Sequence, residues 1–579
     1  MAARPGDRGP GPGRAGRQRV PSPGADAHER PHPRLPLPAR PERGRGRPRR
    51  AAAAGAPGAA GRPLVAAPGR GRGPPRAGAA GEWAGPAGRS RAALESAVRA
   101  VWRAVRRSGL LSPTPASTLA GLLGTLTREG PGLYALAAWW AGREPGRVAL
   151  VDGDGPVTFG ELRERADRVT AALAPHLRPG QAVGLRAGQG ANAVAALLGA
   201  LRLGLRVTLL NPAQSETALG VLVRAHGLRA LLVDAPLGED WCGGVPVWSL
   251  DDLLSPRPRR PLPPHAGRPV LLTSGTTGEA RVVRRSWSPG AALASAGALL
   301  EALNLRAGAP TLLPLPLFHG HGLAALALGL GMGAPVHLAA GRGARELWAT
   351  LERERIEVLV LVPTVLHRLL AEADGTAPAL RTVVCGSAPL DPALAVRARE
   401  RLGHVLFNLY GSTEAGLISL ATPADLGAAP GTVGRPLPGV RVRLEGDRGE
   451  IAVGRGRATG DLGRWDAEGR LFVTGRADDL LLIGGENVFP AEVEARIAAL
   501  PGVRECAVYP VPDAEYGQAL HAFVVPEPDA PGDPEWHAAL RESLPRRLRP
   551  LTFTRLPELP RTPSGKVQRW RLRKGVETG

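Results

Sequence analysis

Residues 148–174, VALVDGDGPVTFGELRERADRVTAALA, decide the fold. An apolar run, a Gly-Asp-Gly turn and a second short run read as two strands. GELRERADRVTAALA then sets apolar residues at helical spacing among charged ones. Outward from this stretch the alternation repeats. QAVGLRA (181–187) reads as a strand and ANAVAALLGALRLG (191–204) as a helix. RALLVDA (229–235), RPVLLTS (268–274), EVLVLVP (357–363) and RTVVCGS (381–387) are further short apolar runs that lead into Gly, Ser, Thr or Pro. Strands alternating with helices predict largely parallel sheets covered on both faces, with ligands bound where loops leave the strand C-termini.

After about residue 430 the texture changes to short β runs with tight turns. Beyond Arg476 come a helix (Pro490 to Leu500), strands at Cys506 to Val511 and Ala522 to Val525, and a helix from Pro534 to Leu544. The expected fold class is α/β: a large N-terminal domain of mostly parallel sheets covered by helices plus a β subdomain, with a small α+β C-terminal domain. The expected boundaries are an Arg/Pro/Gly/Ala-rich extension over 1–90, the large domain over 91–475 and the small domain over 476–579.

The net charge of +22 suggests a nucleic-acid or membrane partner until its place is examined. Residues 1–110 carry 23 Arg against six acids, so the basicity belongs to one end, and no specific nucleic-acid partner is expected for the folded body. That end has too few large apolar residues to offset ordering entropy, which predicts disorder. Ala92 to Arg107 has helical apolar spacing with arginines between, so membrane contact is expected to be peripheral at most. Gly322 to Ala340 is the most apolar stretch, but glycines and Pro335 interrupt it, and a buried helix and strand are expected there. Cys242, Cys385 and Cys506 are too dispersed for a metal motif or a disulfide framework, which fits a cytoplasmic protein.

Three clusters carry chemistry. Thr273-Ser274-Gly275-Thr276-Thr277-Gly278 follows a strand and offers backbone N–H groups and hydroxyls to a phosphate, without the P-loop order. Tyr410-Gly411-Ser412-Thr413-Glu414 combines a flat ring, hydroxyls and a hard carboxylate of the kind Mg²⁺ prefers. Thr459-Gly460-Asp461 and Thr474-Gly475-Arg476-Ala477-Asp478-Asp479 follow, and a carboxylate such as Asp461 can accept both hydroxyls of a ribose.

In this order the elements resemble the adenylate-forming superfamily of acyl-CoA synthetases, adenylation domains and luciferases. The matching stretches are LLTSGTTG (271–278), PLFHGHG (316–322), CGSAPL (385–390), NLYGSTEAG (408–416), TGDLG (459–463), GRADDLLLIGGENVFPAEVE (475–494) and PSGK (563–566). The resemblance runs from roughly Leu119 to Lys574 and is most like bacterial fatty-acid CoA ligases. It implies ATP-dependent activation of a fatty acid to an acyl-adenylate, then transfer to CoA, with ATP, Mg²⁺ and CoA required. An acyl-carrier protein is the alternative acceptor, and a catalytically impaired nucleotide- or acyl-binding protein the alternative from another class.

The resemblance also implies roles. Lys566, which with Lys574 makes up the chain's two lysines, would reach from a mobile small domain to the carboxylate and α-phosphate. Glu414 would hold Mg²⁺. Tyr410 with Gly386, Ser387 and Ala388 would flank adenine, Asp461 would bind ribose, and Arg476 would contact the nucleotide near a hinge at Asp478. Gly484, Gly485, Glu486 and Asn487 would line the pantetheine tunnel. His319 would stand at the mouth of the acyl pocket, and its place after Phe318 disfavours an amino-acid substrate. Two departures stand out. The phosphate loop continues Glu279-Ala280-Arg281-Val282, where Arg281 keeps the charge of the usual lysine. Only Gly454 to Ala458 separate the EIAV strand from TGDLG, where the family usually has a longer segment.

Overall fold

A computed structural model describes residues 102–572, apart from 104, 111–114, 239–240, 242–243, 256–264, 275–279, 283–296, 373–376, 413–414, 447–448, 455, 478–480, 484–485, 489, 514–516, 562–566 and 570. The readings of residues 1–90 and of most of the Ala92–Arg107 helix lie outside the described residues.

The opening stretch folds as read. Val148–Asp152 and Gly155–Thr158 form an antiparallel pair, and Phe159–Leu173 is a helix. Thr158 caps that helix: its hydroxyl accepts from Glu161 N, while the Glu161 carboxylate accepts from Thr158 N at 2.8 Å. This reciprocal box satisfies two amide donors that a helix start leaves open.

Two sheets follow. The nine-stranded sheet has the strand order Arg435–Pro436, Gly416–Ala421, Leu406–Ser412, Thr382–Gly386, Val358–Leu361, Thr311–Leu313, Val336–Leu338, Val148–Asp152, Gly155–Thr158. Its pairings are parallel from Leu406–Ser412 through Val148–Asp152 and antiparallel at the edges. The six-stranded sheet runs Val247–Ser249, Leu228–Val233, Ala182–Arg186, Arg206–Leu210, Arg268–Ser274, Ala280–Val282, parallel except for the last pair. The most apolar stretch is a helix (Gly320–Gly331) and a strand (Val336–Leu338), as its interruptions predict.

The helix Ala191–Arg202 lies between the sheets. Ala191, Val194, Ala195 and Leu198 face the core of the nine-stranded sheet, and Ala193, Leu197, Ala200 and Leu201 that of the six-stranded one. A helix apolar all round must be buried on all sides, which explains its run of small residues. It packs tightly on Phe159–Leu173: a Cβ at Gly199 would collide with Ala166 O. A buried charge cluster ties the same helices together. The Tyr134 phenol donates to Asp167 at 2.6 Å, and Arg202 pairs with Glu129 at 3.1 Å and with Asp167 at 3.6 Å.

The β subdomain is a four-stranded antiparallel sheet of Val442–Glu445, Glu450–Val453, Arg457–Trp465 and Leu471–Arg476. The smaller C-terminal part has a three-stranded sheet (Val503–Asp513, Gly517–Pro526, Pro550–Arg555) with the helices Pro490–Ala498 and Asp533–Ser543. Both strands span the short runs expected for them, while the helices stop two residues short of Leu500 and one short of Leu544. The strands are longer because paired backbone continues past the apolar residues that reveal it. Its core of Ile483, Val488, Val493, Ile497, Val508, Leu520, Trp536 and Leu540 is separate from those of the large domain.

Candidate active site

The strand Leu406–Ser412 carries Tyr410 near its end, where it pairs with Gly416–Ala421 and a bulge falls between Tyr410 and Gly411. Gly411 is required there, since a Cβ would stand 2.5 Å from Gly416 O. The Tyr410 phenol donates to Asp461 Oδ2 at 2.6 Å. Asp461 sits opposite Arg476 in the ladder of the four-stranded sheet, and Arg476 Nη1 donates to Asp461 Oδ1 at 3.2 Å. Thr459 completes the cluster: its hydroxyl donates to Ile451 O at 2.9 Å and accepts from Asp461 N at 3.1 Å.

Asp461 is buried, and its two oxygens are aimed by a phenol and a guanidinium. Burial first, and then the charge of Asp461, push the Tyr410 phenol far above its usual range, so it stays a neutral donor at physiological pH. A carboxylate held this way can exchange its donors for the two hydroxyls of a ribose. The structure thus brings together Tyr410, Asp461 and Arg476, which the sequence separates.

The neighbouring strand Thr382–Gly386 pairs Gly386 with Leu409, placing Gly386, Ser387 and Ala388 at the same strand ends as Tyr410. A Cβ at Gly386 would stand 2.5 Å from Leu409 O, so glycine is needed for this approach. Ser387 is exposed and takes a left-handed backbone with φ 69°, a strained state for a side-chain-bearing residue.

His319 precedes the Gly320–Gly331 helix and its ring lies 4.5 Å from that of Phe318. Its loop is fastened by Gln189, whose side chain donates to Leu315 O at 2.8 Å and accepts from Ala340 N at 2.6 Å. Leu317 and Phe318 meet Leu185, Ala187, Gly188 and Leu210 in a narrow apolar crevice. Sequence reasoning passed over both Gln189 and His321. The only signal for His321 was its place beside His319 in Gly-His-Gly; for Gln189 there was none.

Thr273 and Ser274 end the strand Arg268–Ser274, which pairs Thr273 with Arg281 and Ser274 with Ala280. The expected phosphate loop is therefore the connection between two paired strands, with Gly275, Thr276, Thr277 and Gly278 outside the described residues. Ser412 accepts from Ala415 N at 3.0 Å, while Thr413 and Glu414 lie outside the described residues. So do Asp478, Gly484, Gly485 and Lys566. Glu486 and Asn487 stand on a short strand, opposite Ile483 and Leu482. Among the described residues no cluster of three His, Cys, Asp or Glu could hold a metal, and no helix is long and apolar enough to cross a membrane.

The chain is similar to known proteins. The profile of the AMP-binding enzyme family matches residues 137–463, and that of the AMP-binding enzyme C-terminal domain matches residues 492–566. A 2-succinylbenzoate–CoA ligase of Bacillus pumilus is 28% identical over 477 residues, covering 74% of this chain and 95% of its own. A sulfoacetate–CoA ligase of Cupriavidus necator is 32% identical over 516 residues, covering 76% of this chain and 97% of its own. The o-succinylbenzoate CoA synthetase of Bacillus subtilis, solved with its acyl-adenylate intermediate, superposes with a TM-score of 0.69 at 28% identity, covering 76% of this chain and 97% of its own.

Proposed function

The chain belongs to the AMP-binding enzyme family, and on that premise we propose that it joins a carboxylic acid to CoA at the expense of ATP. Adenylate-forming CoA ligases use ATP, Mg²⁺ and CoA. The observation that carries the reading is the buried Asp461 carboxylate, aimed by Tyr410 and Arg476 at the ends of parallel strands. In the first step a carboxylate oxygen of the acid attacks the α-phosphorus of ATP and the bond to pyrophosphate breaks. In the second the CoA thiol attacks the acyl carbon, its proton is lost, and AMP leaves.

Residues of this chain divide that work. Asp461 takes the ribose hydroxyls, and Tyr410 with Gly386, Ser387 and Ala388 flanks the adenine. Two anions meet in the first step, so the barrier is largely electrostatic, and each well-aimed positive group contributes about a hundred- to a thousandfold. Lys566 and Arg281 supply such charge from the chain. Glu414 is a hard carboxylate of the kind Mg²⁺ prefers and would hold that ion, which would supply positive charge against the phosphates. Asp478 serves as the hinge between 91–475 and 476–579, and Gly484 to Asn487 line the path of the thiol.

Support for an active enzyme comes from the shortened segment before Asp461. Glu450–Val453 and Arg457–Trp465 pair directly there, Val453 opposite Arg457, so the shortening closes as an ordinary hairpin. A largely apolar body for the acid is supported by the apolar character of Leu185, Leu210, Leu317 and Phe318, which meet beside His319 around a crevice of only about 20 Å³. Similarity to 2-succinylbenzoate and sulfoacetate ligases lends no weight to a plain fatty chain.

Pyrophosphate release from ATP over a panel of acids, with and without CoA, tests the reading. Acid-dependent release that collapses in Lys566→Ala is expected, with acyl-CoA formed when CoA is present. Folded protein that releases no pyrophosphate with any acid rules the ligase out. Substituting a loaded carrier protein for CoA distinguishes the two acceptors.

A further inference from the structure

The first turn of the helix Gly320–Gly331 carries a second histidine, two residues beyond His319. Nδ1 and Nε2 of His321 are both shut off from solvent, and neither has a hydrogen-bond partner among the described residues. A neutral imidazole offers one N–H donor and one lone-pair acceptor. Leaving both unmet in a folded interior is strongly unfavourable, and native structures rarely do so without a ligand or water to complete the set.

The location of the ring gives the orphan nitrogens a meaning. Cε1 of His321 faces the bare Cα of Gly386, so closely that a Cβ there would stand 3.4 Å away. Gly386 ends its strand opposite Leu409, the residue before Tyr410. His321 therefore lies at the strand ends that carry the nucleotide cluster, and on the same loop-to-helix turn as His319.

From this juxtaposition we propose that His321 is a specificity-determining residue, whose ring nitrogens meet an uncharged oxo or hydroxyl oxygen on an otherwise apolar acid. The proposal rests on the reading of the cleft as a carboxylic-acid site. Burial, with no neighbouring charge contributing, pushes the imidazole down to about 4, so it is neutral at pH 7. A second carboxylate placed against it would be a buried charge without a partner. A plain alkyl chain would leave both nitrogens unmet, and a site built to hydrogen-bond a group discriminates strongly against the analogue that lacks it. The cleft is thus biased against diacids and against simple fatty acids of the same length.

The test is binding of octanoate, octanedioate and a set of oxooctanoates with the carbonyl at successive carbons, by titration calorimetry on the full chain with a non-hydrolysable ATP analogue. Wild type is expected to bind one oxooctanoate tighter than octanoate on the order of tenfold. His321→Leu should erase that difference. His321→Gln, which keeps a donor and an acceptor at altered reach, should retain a preference for an oxo acid while changing the favoured carbonyl position, and it serves where the leucine variant does not fold. No oxooctanoate preferred by wild type, or a preference untouched in both variants, overturns the proposal. A preference for octanedioate lost with His321 also overturns it, by giving the residue to an anion. Pyrophosphate release run in parallel judges the ligase reading separately: selective binding without release removes only that reading, and release without His321-dependent selectivity removes only this proposal.

Discussion

The Tyr410 phenol and the Asp461 carboxylate are 51 residues apart in the chain, in different sheets, and 2.6 Å apart in space. Together with the Tyr410–Thr459 contact at 3.5 Å, that bond joins the nine-stranded sheet to the β subdomain at the place proposed for the ribose. Asp461→Asn keeps the side-chain size and removes the charge that orients Tyr410 and Arg476. The expected result is ATP affinity weakened by about ten- to a hundredfold, with the far-ultraviolet spectrum unchanged. Equilibrium binding of ATP, kept apart from turnover, is the measurement.

His321 makes a second prediction, about acid stability. Its pKa in the fold is depressed to about 4 from an ordinary 6.5. Between those values the unfolded chain binds a proton that the folded chain does not, so stability falls as pH drops through that window. From pH 7 to pH 5 the loss from this group is about 2 kcal/mol. Urea midpoints at both pH values, compared with His321→Leu, check it: the variant should lose less stability on acidification by about that amount.

The buried cluster around Arg202 predicts a large structural effect. Glu129 is nearly inaccessible, and Arg202 serves both it and Asp167. Arg202→Ala leaves two carboxylates facing each other with less compensation, at a cost of about 3–5 kcal/mol. Thermal or urea unfolding reads this directly. A cost below about 1 kcal/mol would mean that Arg163, 3.7 Å from Glu129, takes over the pairing.

Gln189 spans the exits of two strands, from Leu315 O to Ala340 N. Its side-chain nitrogen and oxygen are both engaged with backbone, so its role is to position the loop that carries Phe318 and His319. Gln189→Ala should raise KM for the acid several-fold while leaving KM for ATP nearly unchanged. Gln189→Glu, which loses the donor to Leu315 O, should be no better than alanine. Equal effects on both substrates would point to general loosening of the cleft.

Much of the large domain was legible because hydrophobic period and helix signals agree in it. The 148–174 stretch combines two short apolar runs, a turn and apolar residues at helical spacing, each favouring the same elements. Asp461 and Tyr410 were singled out by residue type and by the stretches around them, but their hydrogen bond was not. Pairing across sheets depends on long-range register, which local pattern does not encode. Gln189 was invisible for a related reason: a glutamine in a polar turn looks like a solvent-facing side chain until the loops on either side of it are in place. His321 was hidden by its neighbour, because His319 already accounted for the motif and nothing in sequence reveals that a ring nitrogen lacks a partner.

The hairpin ahead of Asp461 has a consequence for how this scaffold can be changed. Val453 faces Arg457 across the ladder, and Gly454 (φ 70°) and Gly456 (φ 91°) flank the centre of a three-residue connection. The cost of a flexible connection grows slowly, by about 0.6 kcal/mol for each doubling of its length. Residues spliced between those glycines would leave both strands and the register of Asp461 intact. The turn is a ready splice point, where an overhanging segment or a tethered partner can be added to the β subdomain without disturbing the ladder that holds Asp461.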